Sequence, residues 1–212
     1  MLGLVKHTFN YLPYYGPKET VLVERDGKMV VDTIFAQVPP FSFTDQYGRP
    51  FTDKDVEGKI VIADFFFTRC QTICPRMSAH MQQLQVMLKD DAFDDVVFLS
   101  HSVDPEHDTP EVLDRYARDL EADSTRWKFL TGNALDIYRI GNTGYLLSAL
   151  EDSTSAEQFV HDGRFVLVDR QRHIRGYYDG TEANGVNELA GDLKMLLKEE
   201  KIIARDAAKA KQ

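Results

Sequence analysis

The sequence predicts an α/β fold in which a β-α-β half is followed by a β-β-α half. Three observations predict it. First, "KIVIADFFF" (59–67) is continuously apolar apart from Asp64, the pattern of a strand buried on both faces, and "DVVFLSHSV" (95–103) reads as the next buried strand. Second, the segment between them, "RMSAHMQQLQVMLKD", sets Met77, Met81, Leu84 and Leu88 on one face at helical spacing. Third, "RFVLVDRQRHIRGYYDG" (164–180) reads as strand, turn and strand, and "GVNELAGDLKMLLKEE" (185–200) as an amphipathic helix.

The remaining elements follow in order. "VLVERDGKMVV" (21–31) is a hairpin, with β-branched residues alternating around the Asp26-Gly27 turn. Residues 38–59 hold short extended pieces separated by Pro39-Pro40, Tyr47-Gly48 and Glu57-Gly58. "TPEVLDRYARDL" (109–120) opens a helix, with Thr109 at the cap and Pro110 at the first helical position. "WKFLTG" is a short strand, and "ALDIYRIG" a short helix closed by Gly141. Residues 142–163 show no clear period and end beside His161; a loop of that length is usually functional or disordered.

This order is the thioredoxin arrangement, with an N-terminal β-hairpin extension and an insertion within 110–163 before the late strand pair. The predicted organisation is an extension with a β-hairpin over 1–37, a thioredoxin-like domain over 38–203, and a frayed tail over 204–212.

Composition narrows the function. The net charge of -9 and the lack of a basic cluster argue against nucleic-acid binding, and an apolar fraction of 43% suits a folded core. No apolar run reaches the roughly 20 residues of a membrane span, and the first residues do not follow a signal-peptide pattern.

The chemistry concentrates in "FTRCQTICP" (67–75), which holds both cysteines of the chain, Cys70 and Cys74. They fall where a buried strand meets its helix. Pro75 suits the first helical position and makes Cys74 the boundary residue. A helix N-terminus stabilises anions and so lowers a thiol pKa. Two thiolates there form a disulfide or hold a soft metal ion.

Three readings compete. A thioredoxin-type exchanger has two residues between its cysteines and a proline before the late strand; here there are three, and that place holds "FVHDG" (159–163). A peroxiredoxin has Thr three residues before its cysteine, whereas Thr68 is two before Cys70. The third reading adds His161, which the fold brings near the cysteines. Two thiolates and an imidazole suit Cu(I) and accept Cu(II), whereas structural zinc wants four protein ligands. Among the other histidines, His80 reads as a helix-surface residue and His7 and His173 as exposed. His101 and His107, on either side of "VDPE" (103–106), are placed at most behind the ligands. Met77 and Met81 read as core.

"DFFFTRCQTICPRM", "SHSVDPEHDTPEVL", "WKFLTG" and "FVHDGRFVLVDRQRHIRGYYDG" together resemble the Sco/SenC family over about residues 38–200. These are thioredoxin-fold copper proteins implicated in assembling the binuclear copper centre of cytochrome c oxidase. The resemblance implies copper as cofactor, Cys70, Cys74 and His161 as ligands, and Asp104 as a supporting residue. Family members usually carry a proline after the first cysteine, where this chain has Gln71. The implied partner is the oxidase subunit bearing the copper centre, together with another copper donor or a thioredoxin-like reductant. The implied place is the periplasmic or exported face of a membrane, reached through an N-terminal anchor, with residues 1–20 as the remnant of its linker. In that setting the pair would alternate between metal clamp and disulfide. The alternative functions are a thiol-disulfide reductase, with Cys70 and Cys74 as catalytic pair, and a copper or redox sensor.

Overall fold

The computed structural model describes residues 11–25, 27–147 and 162–210. Strands β1 (Lys18–Arg25) and β2 (Lys28–Phe35) form an antiparallel hairpin that closes on Arg25 opposite Lys28. It is longer than the sequence pattern indicates, because the pairing continues through Thr20–Thr33 to Lys18–Phe35.

The main sheet has seven strands in the order β4-β3-β7-β6-β5-β8-β9. They are β3 (Ser42–Asp45), β4 (Pro50–Thr52), β5 (Ile60–Phe66), β6 (Val96–Ser102), β7 (Trp127–Thr131), β8 (Arg164–Val168) and β9 (Ile174–Asp179). Strands β5, β6 and β7 are parallel, and β8 runs antiparallel to β5. The helices are α1 (Cys74–Met87), α2 (Pro110–Asp119), α3 (Ala134–Arg139) and α4 (Ala183–Ala210). The strands β6, β5, β8 and β9 with α1 and α4 form the thioredoxin-like unit. The inserted segment joins the same sheet: β7 extends its parallel part beside β6, and its Trp127 and Phe129 are fully buried.

Every residue of β5 and β6 is buried, the polar Asp64, Ser100, His101 and Ser102 included. Their register fixes what each face of the sheet carries. Asp64 pairs with Ser100 and Phe66 with Ser102 on one face, Phe65 with His101 on the other. Helices α1 and α2 cover the first face. Met77, Met81 and Leu84 are fully buried under α1, Phe66 stacks on Tyr116 of α2, and Ser78 bonds the Tyr116 hydroxyl at 2.8 Å. On the second face Phe43, Phe65 and Tyr145 surround His101.

Three expectations change. The short helix does not stop at Gly141: α3 runs on into a π turn, Ile140–Gly144, in which the Tyr145 N–H reaches the Ile140 carbonyl at 2.8 Å. Space is tight at Gly144, where a Cβ would fall 2.7 Å from the end of the Ile140 side chain. The tail expected to fray from residue 204 is helical as far as Ala210.

The third change is at the other end. The linker reading of the first 20 residues fails from Leu12 onward. Leu12 is buried, and its N–H donates to Glu199 at 3.0 Å. Arg175 donates to the carbonyls of Leu12 (2.7 Å) and Pro13 (3.1 Å), to Glu199 (2.6 Å) and to Asp169 (3.2 Å). The Tyr14 ring covers its guanidinium at 4.1 Å. Tyr15 then pairs with Ile174. An arginine, two acids and an aromatic therefore strap the start of the described chain to β9 and α4.

Candidate metal and redox centre

The centre sits where β5 ends and α1 begins. Strand β5 delivers the chain at Phe66, and the Cys70 N–H donates to the Phe67 carbonyl at 3.2 Å, turning the loop back on itself. Pro75 stands in the first turn of α1, where its missing N–H costs nothing. Cys74 is the first helical residue, one position further in than the sequence indicates. Its N–H donates to the Cys70 sulfur at 3.4 Å, and the Thr72 hydroxyl lies 3.4 Å from the same sulfur. Cys70 Sγ thus occupies the anion position at the helix N-terminus.

Both thiols are free and buried. Their acidities diverge. Burial pushes the Cys70 thiol up, but hydrogen bonds from Thr72 and Cys74 outweigh it, and the net shift is downward. Burial, and donation of its own proton to Cys70, push the Cys74 thiol well above the ordinary thiol range. Cys70 is therefore the more acidic thiol of the two, and Cys74 the proton-bearing partner that favours its anion.

A buried acid lies beneath the pair. Asp64 of β5 accepts from the Ser100 hydroxyl at 2.6 Å, and Ser100 in turn accepts from the Trp127 indole at 3.0 Å. Burial raises the Asp64 carboxyl to about 7, against the Ser100 bond that lowers it. Its charge contributes to holding the Cys74 thiol protonated.

On the opposite face of the sheet, burial lowers His101 to about 3. Its Nε2 lies 3.3 Å from the Tyr145 hydroxyl, and its ring packs on Phe65, away from the cysteines. The two buried groups act oppositely on stability. Asp64 keeps a proton that the unfolded chain has released, so its contribution is complete below about pH 4 and is lost as pH rises to about 7. His101 stays neutral where the unfolded chain is charged, so its contribution is complete above about pH 6.5 and is lost as pH falls toward 3. Between about pH 4 and 6.5 the slopes cancel. Asp64→Asn, which keeps an acceptor for Ser100, should leave only the histidine slope. Stability by urea titration should then rise by about 1.4 kcal/mol per pH unit across that window. A profile parallel to that of the unmodified chain would contradict the assignment.

Asp104, expected as a supporting residue, is buried and acts through Arg69, the residue before Cys70. Arg69 Nε donates to it at 3.0 Å, and Nη2 makes a second contact. A neighbouring acid was not singled out by the sequence. Asp108 is fully buried and accepts from the Thr68 N–H (3.1 Å), the Thr68 hydroxyl (2.5 Å) and the Ser102 hydroxyl (2.5 Å), with His107 Nδ1 at 3.0 Å. It ties the segment leading into the cysteine loop to the end of β6. The signal was present in "DTP", which reads equally well as the approach to a helix cap.

His80 is not a plain surface histidine, since its Nδ1 lies 2.7 Å from the Gly180 carbonyl and joins α1 to the turn after β9. His173 is not exposed either: it is half-buried, with Nδ1 at 3.3 Å from Asp169 and its ring edge-on to Tyr14. His7 and His161 lie outside the described residues, as does most of the 142–163 stretch. Gly163, two residues along the chain from His161, is held against the cysteine loop. A Cβ there would lie 3.6 Å from Ile73, and its carbonyl accepts from the Gly180 N–H at 2.7 Å. Asp162 beside it is buried in a two-point contact with Arg164.

The profile of the SCO1/SenC family matches residues 32–198. The chain belongs to the SCO1/SenC family. The SCO1 protein homolog of Bacillus subtilis is 32% identical over 168 residues, covering 79% of this chain and 86% of that protein. Among solved structures, BsSco, described as a member of the Sco family of cytochrome c oxidase assembly proteins with a disulfide switch, aligns with a TM-score of 0.66. It is 33% identical, covering 76% of this chain and 93% of BsSco. ScoI of Bradyrhizobium japonicum, solved with copper bound, aligns with a TM-score of 0.61 and 28% identity, covering 75% and 98%. The thioredoxin-like core of this SCO1/SenC chain is thus shared with its solved relatives, and the paired cysteines are at its helix N-terminus.

Proposed function

We propose that this chain carries copper on Cys70 and Cys74, with His161 as third ligand, and passes it to the cytochrome c oxidase subunit that holds the binuclear copper centre. One observation carries the reading: two reduced, buried sulfurs meet at the N-terminus of α1, where thiolate is stabilised. Two thiolates are a soft donor set that selects Cu(I), and an added imidazole keeps Cu(II) acceptable. The position of Gly163 against the loop supports His161 in that role, and the Arg69–Asp104 pair holds the approach to Cys70. The copper-bound and oxidase-assembly descriptions of related Sco proteins point the same way. We place the chain on the exported face of a membrane, where that oxidase domain lies.

A second reading has its own support. The opposed acidities of Cys70 and Cys74 suit thiol-disulfide exchange: the Cys70 thiolate attacks a partner disulfide to form a mixed disulfide and free one partner thiolate, and Cys74, giving up its proton, then attacks Cys70 Sγ, closing the Cys70–Cys74 disulfide and releasing the second partner sulfur as the reduced dithiol. The two readings separate in one experiment. Reduced protein carrying one copper is mixed with the copper-free, reduced soluble domain of the oxidase subunit; in parallel, copper-free reduced protein is mixed with that domain oxidised. Metal transfer in the first arm without disulfide reduction in the second supports the carrier. The reverse pattern replaces it with the reductase. His161→Ala should weaken Cu(II) more than Cu(I), because two thiolates alone satisfy linear Cu(I). Equal losses would remove His161 from the ligand set.

A further inference from the structure

The β1–β2 hairpin stands apart from the main sheet. Among the described residues neither of its edges pairs with another strand. Leu22, Met29, Val31 and Ile34 are each more than half exposed on it. A two-stranded ribbon is marginal alone, and an open apolar edge is a template for another strand. Charged side chains normally blunt such an edge. On β1 the charges follow a particular order, which "KETVLVERD" (18–26) displays.

When β1 is laid antiparallel against a second β1 with Leu22 opposite Leu22, Glu19 faces Arg25 of the other copy. Val21 faces Val23. The Glu19–Arg25 pair occurs twice by symmetry. Centring on Val21 replaces it with Lys18 opposite Glu24, and centring on Val23 leaves no charge pair. The backbone agrees with the Leu22 register. A two-residue turn closes on a hydrogen-bonded pair, here Arg25 with Lys28, so Arg25, Val23, Val21 and Glu19 direct their N–H and C=O groups toward β2. Lys18, Thr20, Leu22 and Glu24 direct theirs outward, so Leu22 can bond Leu22 of a second copy and Thr20 can bond Glu24. The Leu22 and Val31 side chains of the two copies then line up across one four-stranded sheet.

We propose that the β1 edge is a homodimer interface, in which two hairpins pair through β1 about a two-fold axis at Leu22. A second copy fits because the charges that would repel an arbitrary strand complement their own sequence reversed. This rests on the hairpin alone and is independent of the copper reading.

Sedimentation velocity tests it over the roughly 10–1,000 μM range expected of one small interface. The unmodified chain should show a concentration-dependent monomer–dimer equilibrium. Glu19→Arg places Arg opposite Arg, and Arg25→Glu places Glu opposite Glu, so each alone should weaken the dimer roughly tenfold or more. Both sites are exposed, so the fold, checked by circular dichroism, should be retained. An equimolar mixture of the two variants restores every complementary pair and should dimerise again, as should the chain carrying both changes. A monomer throughout the range would overturn the proposal. So would a dimer that either single change leaves intact, or a mixture that stays monomeric.

Discussion

Cys70→Ser is expected to lower copper affinity by more than about 100-fold and to abolish the sulfur-to-Cu(II) charge-transfer band, and Cys74→Ser should do the same. Changes to groups that merely orient a ligand commonly cost 10–100-fold, so loss of the ligand itself should exceed that. The cause is chemical rather than steric. A serine hydroxyl nearly fills the cysteine space and can still bond Thr72 or the Cys74 N–H, but at neutral pH it is neither ionised nor soft. The variants also differ in one respect. Cys74→Ser keeps a donor to Cys70, so the Cys70 thiol should stay lowered, whereas Cys70→Ser leaves Cys74 with a thiol that burial pushes upward. Cys74→Ser should therefore retain the faster alkylation by iodoacetamide. Both variants keeping the original spectrum would remove the pair from the copper site.

The second large effect is on stability. Arg175→Met should cost about 3–5 kcal/mol, read from the urea midpoint, because it leaves Glu199 and Asp169 as buried charges and frees the carbonyls of Leu12 and Pro13. Asp169 keeps part of its compensation through the Gln171 and His173 N–H groups, whereas Glu199 is left with the Leu12 N–H. Arg175→Met combined with Glu199→Leu should therefore recover a good part of the loss, since an apolar pair avoids the uncompensated carboxylate. Released at its strap, the segment around Leu12 should also become the first site of limited proteolysis. A single-variant loss below about 1 kcal/mol would show that the cluster contributes little.

These effects also show what the sequence reveals and what it hides. Strands β5 and β6 were legible because every residue is buried, and α1 because Met77, Met81, Leu84 and Leu88 repeat at helical spacing. The cysteine site was legible because both cysteines fall on one strand-to-helix junction and Pro75 marks where the helix starts. What failed depends on partners distant in the chain. Leu12 reads as part of a linker until Arg175 and Glu199 are seen to hold it. His101 and Asp104 lie three residues apart and look equivalent, yet β6 turns the first toward the Phe65 face and the chain beyond it takes the second to Arg69. Asp108 was hidden because the cap signal at Thr109 and Pro110 accounts for the same residues. The π turn was hidden because Gly141 satisfies a helix stop, while Gly144 is where the space is tight.

The central claim is that one pair of sulfurs serves either as a metal clamp or as a disulfide. The most direct test is competition of the protein with a chromogenic chelator for Cu(I), run on the fully reduced chain and on the chain oxidised to the Cys70–Cys74 disulfide, with X-ray absorption on the loaded form. The account predicts one tightly held copper with two sulfur neighbours for the reduced chain, and none for the oxidised one. Equal affinity in both states, or a copper shell without sulfur, would contradict it.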